Sequence, residues 1–457
     1  MQMPDFEDHF NNLIHYGDFG NIIIYDSELI AIQKNKDFEI YKKYSSGMSI
    51  ELERDGNWAF AYSPRISREE LSKLISKLYK KLIWLPPAKS LKISDIESNK
   101  ASVNINQDTN KDSRWLEEKS EIVNNVAKLL NESNNTSFEI TYTDEIINWE
   151  LHNTAGSKIH SIEHYPGLHI KSTIKAFDNT YTSISRAITG NSDSSIINEK
   201  NIDDMINDIQ ATESNIKKCS HKIKQGKYHV ITDSRATAAM VHEMFGHTSE
   251  LSNYRKATDI ITNSIGIQIF PEMVTILDDP SLPNTNGFFM YDQEGIKSNK
   301  KILIDRGVRK GYISSIETAN ELDIKNQGST RSMSFNIRPS PRMSNIYMAP
   351  GDYDEEELVS TINEGVAIYG NKGARINAKL NNLRLFPEYG RIIHNGELKE
   401  YVSVASIVGD AYSISRNISG VGKKTRLYRG WCHKNKEFLP VTDGGPMLKI
   451  KNVIING

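Results

Sequence analysis

The sequence predicts an α+β fold: an N-terminal mixed α/β region with antiparallel strands and long helices, followed by a β-rich C-terminal domain. Three observations carry this expectation. Short β-branched and aromatic runs broken by turn residues fill positions 21–63. Two long amphipathic helical patterns begin near Ser67 and Trp115. Beyond about residue 220, strands and long loops dominate. The expected division is therefore 1–220 and 221–457, with a possible subdivision of the first part at the polar loop near 88–114.

Taken in order, residues 6–15 pattern as a short amphipathic helix. NIIIY, ELIAIQKN, FEIYKKY, MSIELERDG and WAFAYS then read as short strands, with Asp55-Gly56 as a hairpin turn. Ser67 can cap a helix that gathers Leu71, Leu74, Ile75, Leu78 and Leu82 on one face. Pro86-Pro87 ends that unit, and the polar run 99–114 reads as a mobile loop. WLEEKSEIVNNVAKLLNESNN is a second amphipathic helix. SFEITYTDEIINWELHNT and GLHIKSTIKAFD are strand material, and a further helix is expected over 202–219. In the second part, MVTILDD, KKILIDRGVRKGYIS and GRIIHNGELKEYVSVASIVGD read as sheet, with one helix near 354–364. No tandem repeat is evident, which excludes a solenoid.

Charged residues make up 25% of the 457 and the apolar set 38%, as expected of a soluble globular chain. The net charge of −2 gives no broad basic field for nucleic acid or an acidic membrane. The N-terminal stretch lacks the basic start and apolar core of a secretory signal, and no run approaches the length needed to span a bilayer. A cytoplasmic location is expected. Two cysteines, Cys219 and Cys432, do not make a disulfide framework. Cys219 reads as a buried hydrophobe.

KYHVITDSRATAAMVHEMFGH reads as strand, cap and helix, with Tyr228–Thr232 the strand and Asp233 or Ser234 the cap. Near the helix end stand His242, Glu243 and His247. The two histidines lie five positions apart, and in a regular helix that spacing turns them about 140° from one another. They can share an ion only if the helix widens locally toward π geometry, and Gly246 could ease such a break. Two histidines do not complete a catalytic zinc site, which takes three protein ligands. Glu250, three residues on, and Cys432, 190 positions away, are candidates for the third.

These residues, together with DGNWAFAYS, ITDSRATAAMVHEMFGH, PRMSNIYMAPGD and GWCHKNKEFLPVTDGGPMLKIKNVIING, resemble the TldD/PmbA family in that family's order across nearly the full length. The match is specifically to TldD-like subunits that keep the HExxxH motif. The resemblance implies a Zn2+-dependent peptidase with His242, His247 and Cys432 as metal ligands and Glu243 as catalytic base. It implies an enclosed site for short or unfolded peptides, and a dimer with a PmbA/TldE-like subunit or a second copy. Under it, Glu250 is left to orient a ligand histidine. The chain departs from the family at His433, where a glycine usually follows the ligand cysteine.

Arg331, Arg342, Tyr347 and His433 are candidates for stabilising an oxyanion. The stretch from Arg331 to Asp352 is either a wall of the substrate path or an ordinary loop. Two other readings stay open. One is a non-catalytic, peptide-binding or partner-stabilising subunit. The other is a structural zinc site closed by Glu250 as fourth ligand.

Overall fold

Sheets dominate the architecture. The computed structural model describes residues 15–35, 37–89, 91–92, 95–105, 113–131, 136–252, 264–377, 381–434 and 437–457. Residues 6–14 of the helix expected over 6–15 fall outside them.

The first sheet is built from β1 (Phe19–Lys34), β2 (Phe38–Arg54), β3 (Asn57–Ser63), β4 (Lys100–Asn104), β5 (Thr136–Asn153), β6 (Lys158–Lys175) and β7 (Tyr181–Thr189). Their spatial order is β3-β2-β1-β5-β6-β4, with β7 also on β6. All neighbours are antiparallel except β4, which runs parallel to β6. The runs expected as several short strands are instead continuous: β1 and β2 pair without interruption from Phe19↔Glu53 to Lys34↔Phe38. The reason is that polar residues such as Ser27 and Ser45 pair across the ladder without breaking its backbone hydrogen bonds. Asp55 and Gly56 form the expected turn, both with positive φ (49° and 79°), as a two-residue hairpin requires.

Helix α1 (Arg68–Leu82) packs on this sheet. Ser67 Oγ accepts the Glu70 N–H at 3.2 Å, and the predicted face is buried against Ile22, Ile24, Met48, Ile50 and Leu52. The polar run expected to be loop holds β4, whose one buried apolar side chain is Val103. Helices α2 (Ser113–Asn131) and α3 (Glu199–Lys217) cover part of β5 and β6 through Val123, Val126, Ile206 and Ile209.

The remaining strands are β8 (Gly226–Thr232), β9 (Ile276–Asp278), β10 (Lys301–Asp305), β11 (Val308–Arg309), β12 (Thr330–Arg331), β13 (Ser340–Pro341), β14 (Asn345–Met348), β15 (Glu364–Tyr369), β16 (Gly373–Asn377), β17 (Asn382–Phe386), β18 (Tyr389–His394), β19 (Glu397–Val402), β20 (Ser406–Asp410), β21 (Ile418–Val421), β22 (Arg426–Lys434), β23 (Glu437–Gly445) and β24 (Leu448–Asn456). They form a nine-stranded sheet ordered β16-β17-β20-β24-β8-β15-β18-β19, with β21 on β24, a six-stranded sheet ordered β11-β10-β9-β14-β23-β22, and a two-stranded antiparallel pair of β12 with β13. Short helices α4 (Ser234–Met240), α5 (Ile316–Leu322), α6 (Glu355–Ser360) and α7 (Ala411–Arg416) connect them. Between these two sheets lies the largest apolar core, which includes Met240, Met244, Phe245, Ile346, Val366, Leu383 and Ile450. Among the described residues no helix is long and apolar enough to cross a membrane.

Candidate metal centre

Helix α4 leaves β8 through Asp233, whose carboxylate accepts the Ala236 N–H at 2.7 Å and caps the helix. Its small face sits against β23, where a side chain at Gly445 would collide with Thr237. At Val241 the helix widens into a π turn that runs to Gly246. The His247 N–H donates to the His242 carbonyl at 3.1 Å, an i to i+5 bond. This is the deformation that the five-residue spacing demands. The two rings stand edge to face with centroids 4.9 Å apart. Gly246 matters through packing: a Cβ there would lie 1.9 Å from the Met343 sulfur.

The third residue arrives from the six-stranded sheet. Cys432 lies on edge strand β22, paired with Leu439 of β23, and is 1% exposed. Among the described residues, His242, His247 and Cys432 are the one group of metal-binding side chains whose donor atoms converge, all within 4.8 Å of one another. Cys432 Sγ is 3.7 Å from His247 Nε2. Zinc bond lengths and a tetrahedral angle place a sulfur and a nitrogen ligand about 3.6 Å apart, so the donor set fits that ion.

Both imidazoles are held from behind. His242 Nδ1 meets Asp443 Oδ1 at 2.8 Å, and His247 Nδ1 meets Glu250 Oε2 at 3.0 Å. That leaves each Nε2 for the centre, an arrangement typical of carboxylate-oriented metal ligands. Glu250 itself is saturated. It also accepts the Met343 N–H at 3.0 Å and the Lys434 ammonium at 2.5 Å, and Arg342 Nε lies 3.7 Å away. The structure thus brings Cys432, and not Glu250, to the two histidines.

Electrostatics match this geometry. Burial opposes charge on His242, but Asp443 and then Cys432 outweigh it and hold the imidazole well above its ordinary pKa. At His247 burial is likewise overcome, by Glu250 and Cys432, giving about 9. Burial would raise the Cys432 thiol, yet the two imidazoles pull it down to about 6. In the absence of a cation, the thiolate is thus compensated by protonated histidine, and a divalent ion would take over that positive charge.

Glu243 is half-buried and lines a cavity of about 500 Å³ with His242, His247, Asn371, Trp431 and His433. His433 is exposed, and its ring stacks on Phe438 at 4.2 Å. It contributes to the cavity wall, whereas the other three oxyanion candidates do not. Arg331 donates to the carbonyls of Met343 and Pro440. Arg342 is buried on Glu437 and the Cys432 carbonyl. Tyr347 sits in β14 beside Gly444. Cys219 is buried among apolar side chains, with its thiol on the Asn215 carbonyl. Asp443 and Lys434 carry no signal that sequence reasoning used: their partners lie 201 and 184 positions away.

Residues 225–457 match the model of the PmbA/TldA metallopeptidase C-terminal domain. A metalloprotease of Methanocaldococcus jannaschii is 27% identical over 439 residues, covering 95% of this chain and 96% of the relative. A zinc metalloprotease TldD homolog of Saccharolobus solfataricus is 25% identical over 423 residues, 90% of each chain. In three dimensions, the crystal structure of TldE from Thermococcus kodakarensis superposes with a TM-score of 0.73 at 14% identity, over 99% of each chain, and so shares the fold.

Proposed function

The chain belongs to the PmbA/TldD metallopeptidase family, and from that premise we propose that it is a zinc-dependent peptidase acting on short or unfolded peptides in an enclosed cleft. The observation that carries the proposal is the π turn, which aims two histidines five positions apart at one buried thiolate, each histidine backed by a carboxylate. His242, His247 and Cys432 would hold the ion. When bound, zinc supplies Lewis-acid chemistry, polarising a carbonyl and lowering the pKa of water to about 7. Glu243 follows a ligand histidine and faces the cavity, so it can take a proton from the attacking water and pass it to the leaving amine. His433, at the cavity wall, is the remaining candidate for steadying an oxyanion.

The alternative of a closed structural site needs a fourth protein ligand. Glu250 is spent on His247, Lys434 and a backbone N–H, which favours a site with an open position. The reading extends to a cytoplasmic protein paired with a PmbA/TldE-like subunit or a second copy, which light scattering of the purified protein would distinguish.

The test combines metal analysis with peptide hydrolysis. Wild type should carry one zinc per chain. Glu243→Gln should keep the zinc and lose hydrolysis by about 10²-fold or more, the usual worth of a positioned base. Cys432→Ala should lose the metal. Full hydrolysis by the Glu243→Gln protein would end the mechanism, and undiminished zinc in Cys432→Ala would end the ligand assignment.

A further inference from the structure

A second chamber, of about 380 Å³, shares Trp431 as a lining residue with the cavity at the metal centre. One wall comes from β5 and β6 of the first sheet. By the two-residue period of a strand, Thr143, Glu145, Ile147 and Trp149 all turn to this face, while Tyr142 turns into the opposite core. The facing wall comes from Phe289, Tyr291, Trp431 and Phe438. The volume and the aromatic walls are those of a small-ligand site with a few convergent polar groups.

The charges inside the chamber are unequal in commitment. Asp292 is saturated by backbone N–H groups of residues 294, 296, 329 and 330. Arg331 donates to two carbonyls and lies over the Phe289 ring, which fixes its guanidinium without cancelling its positive charge; Glu145, Glu163 and Asp292 line the same chamber with the opposite sign. Glu163 accepts from Trp149 Nε1 and from the Tyr165 hydroxyl, both at 2.9 Å. Burial drives His169 down to about 4, so it is neutral near pH 7. Glu145 remains: it lines the chamber and, among the described residues, makes no hydrogen bond or ion pair. Burial raises its pKa, exposed Lys43 in the same cross-strand row lowers it, and Glu163 raises it further. A carboxylate with no hydrogen bond or ion pair of its own, felt only electrostatically by exposed Lys43 and set among aromatic side chains, is a setting that recognises an organic cation.

We propose that this chamber is a specificity subsite that takes a basic side chain, arginine or lysine, of the peptide bound across the metal centre, with Glu145 as the charge partner and Trp431 as the residue common to both cavities. The inference rests on the peptidase reading for the peptide's identity, but the chamber is tested by binding as well as by turnover. The probe is a pair of fluorescein-labelled alanine hexapeptides, one carrying a single arginine and the other norleucine at the same position, scanned along the peptide.

Zinc-loaded full-length Glu243→Gln protein should bind the arginine peptide about tenfold more tightly at one position, as one charge-assisted contact predicts. Adding Glu145→Gln should erase the difference, and adding Glu145→Asp, which keeps the charge, should restore part of it. Equal binding of the two peptides at every position overturns the subsite, as does a preference that survives Glu145→Gln. If wild type hydrolyses both peptides in that case, the peptidase reading stands alone. Arginine preference without any hydrolysis by wild type would instead uphold the chamber and remove the peptidase reading.

Discussion

At the residue scale, the three donor residues were legible because their chemistry is rare and the histidine spacing narrow. Choosing Cys432 over Glu250 depended on resemblance. The geometry supplies a physical ground, since Glu250 already serves His247, Lys434 and Met343. Asp443 was not legible, because a carboxylate in VTDGG looks like turn chemistry until β23 carries it beneath His242. Its role is testable. Asp443→Asn keeps the shape and an accepting oxygen but removes the charge that fixes the imidazole. Zinc affinity, measured by competition with a chromogenic chelator, should fall about 10- to 100-fold. An unaltered affinity would mean that the carboxylate only fills space. Glu250 makes a poorer test, since its neutralisation would leave Lys434 without its carboxylate and Arg342 with Glu437 alone, and so confound affinity with folding.

At the element scale, signals carried by neighbouring residues came through. The Ser67 cap and the Asp55-Gly56 turn depend on contacts within a few residues, and the apolar face of α1 shows in the helix's own period although it is buried against β1 and β2. The unbroken length of β1 and β2 and the strand at 100–104 did not come through, because distant partners stabilise them; β4 exists through parallel pairing with residues 158–162. The π turn falls between these cases: its need followed from the five-residue step, and its realisation depends on tertiary space. Gly246 provides that space, with Met343 fully buried against it. Gly246→Ala must displace Met343, whose N–H also anchors Glu250. The expected cost is about 1–3 kcal/mol in urea unfolding, with weaker zinc binding through the disturbed Glu250–His247 contact. Gly246→Ala combined with Met343→Ala should recover part of the zinc affinity, because the clash is gone. If the double variant binds no better than the single, the π turn is sensitive to the glycine for some reason other than Met343.

At the scale of the whole molecule, the sequence conveyed an α+β chain with a β-rich second part, but not how the sheets cross. Parallel pairs such as β8 with β15 and β14 with β23 join segments about 100 or more residues apart, and no local pattern encodes them. The first sheet and the later strands also meet through buried charge. Arg186 of β7 makes a two-pronged contact with Glu388, Nη1 to Oε1 at 2.7 Å and Nη2 to Oε2 at 3.0 Å, with both side chains almost wholly buried. Tyr389, next in sequence, belongs to the apolar core shared with α3. Burying two charges costs desolvation energy, so the pair need not exceed an apolar replacement in stability, but stripping one partner leaves the other exposed to a low dielectric. Glu388→Gln should therefore lose about 3 kcal/mol, seen as a lower urea midpoint, with Asp208 retaining part of the hold on Arg186. The paired replacement Arg186→Met with Glu388→Met should cost much less than the single, since neither charge is then left behind. If the single variant unfolds like wild type, the bidentate contact contributes nothing to the junction, and the aromatic stack of Tyr369 on Tyr389 and the apolar side chains around it carry it instead.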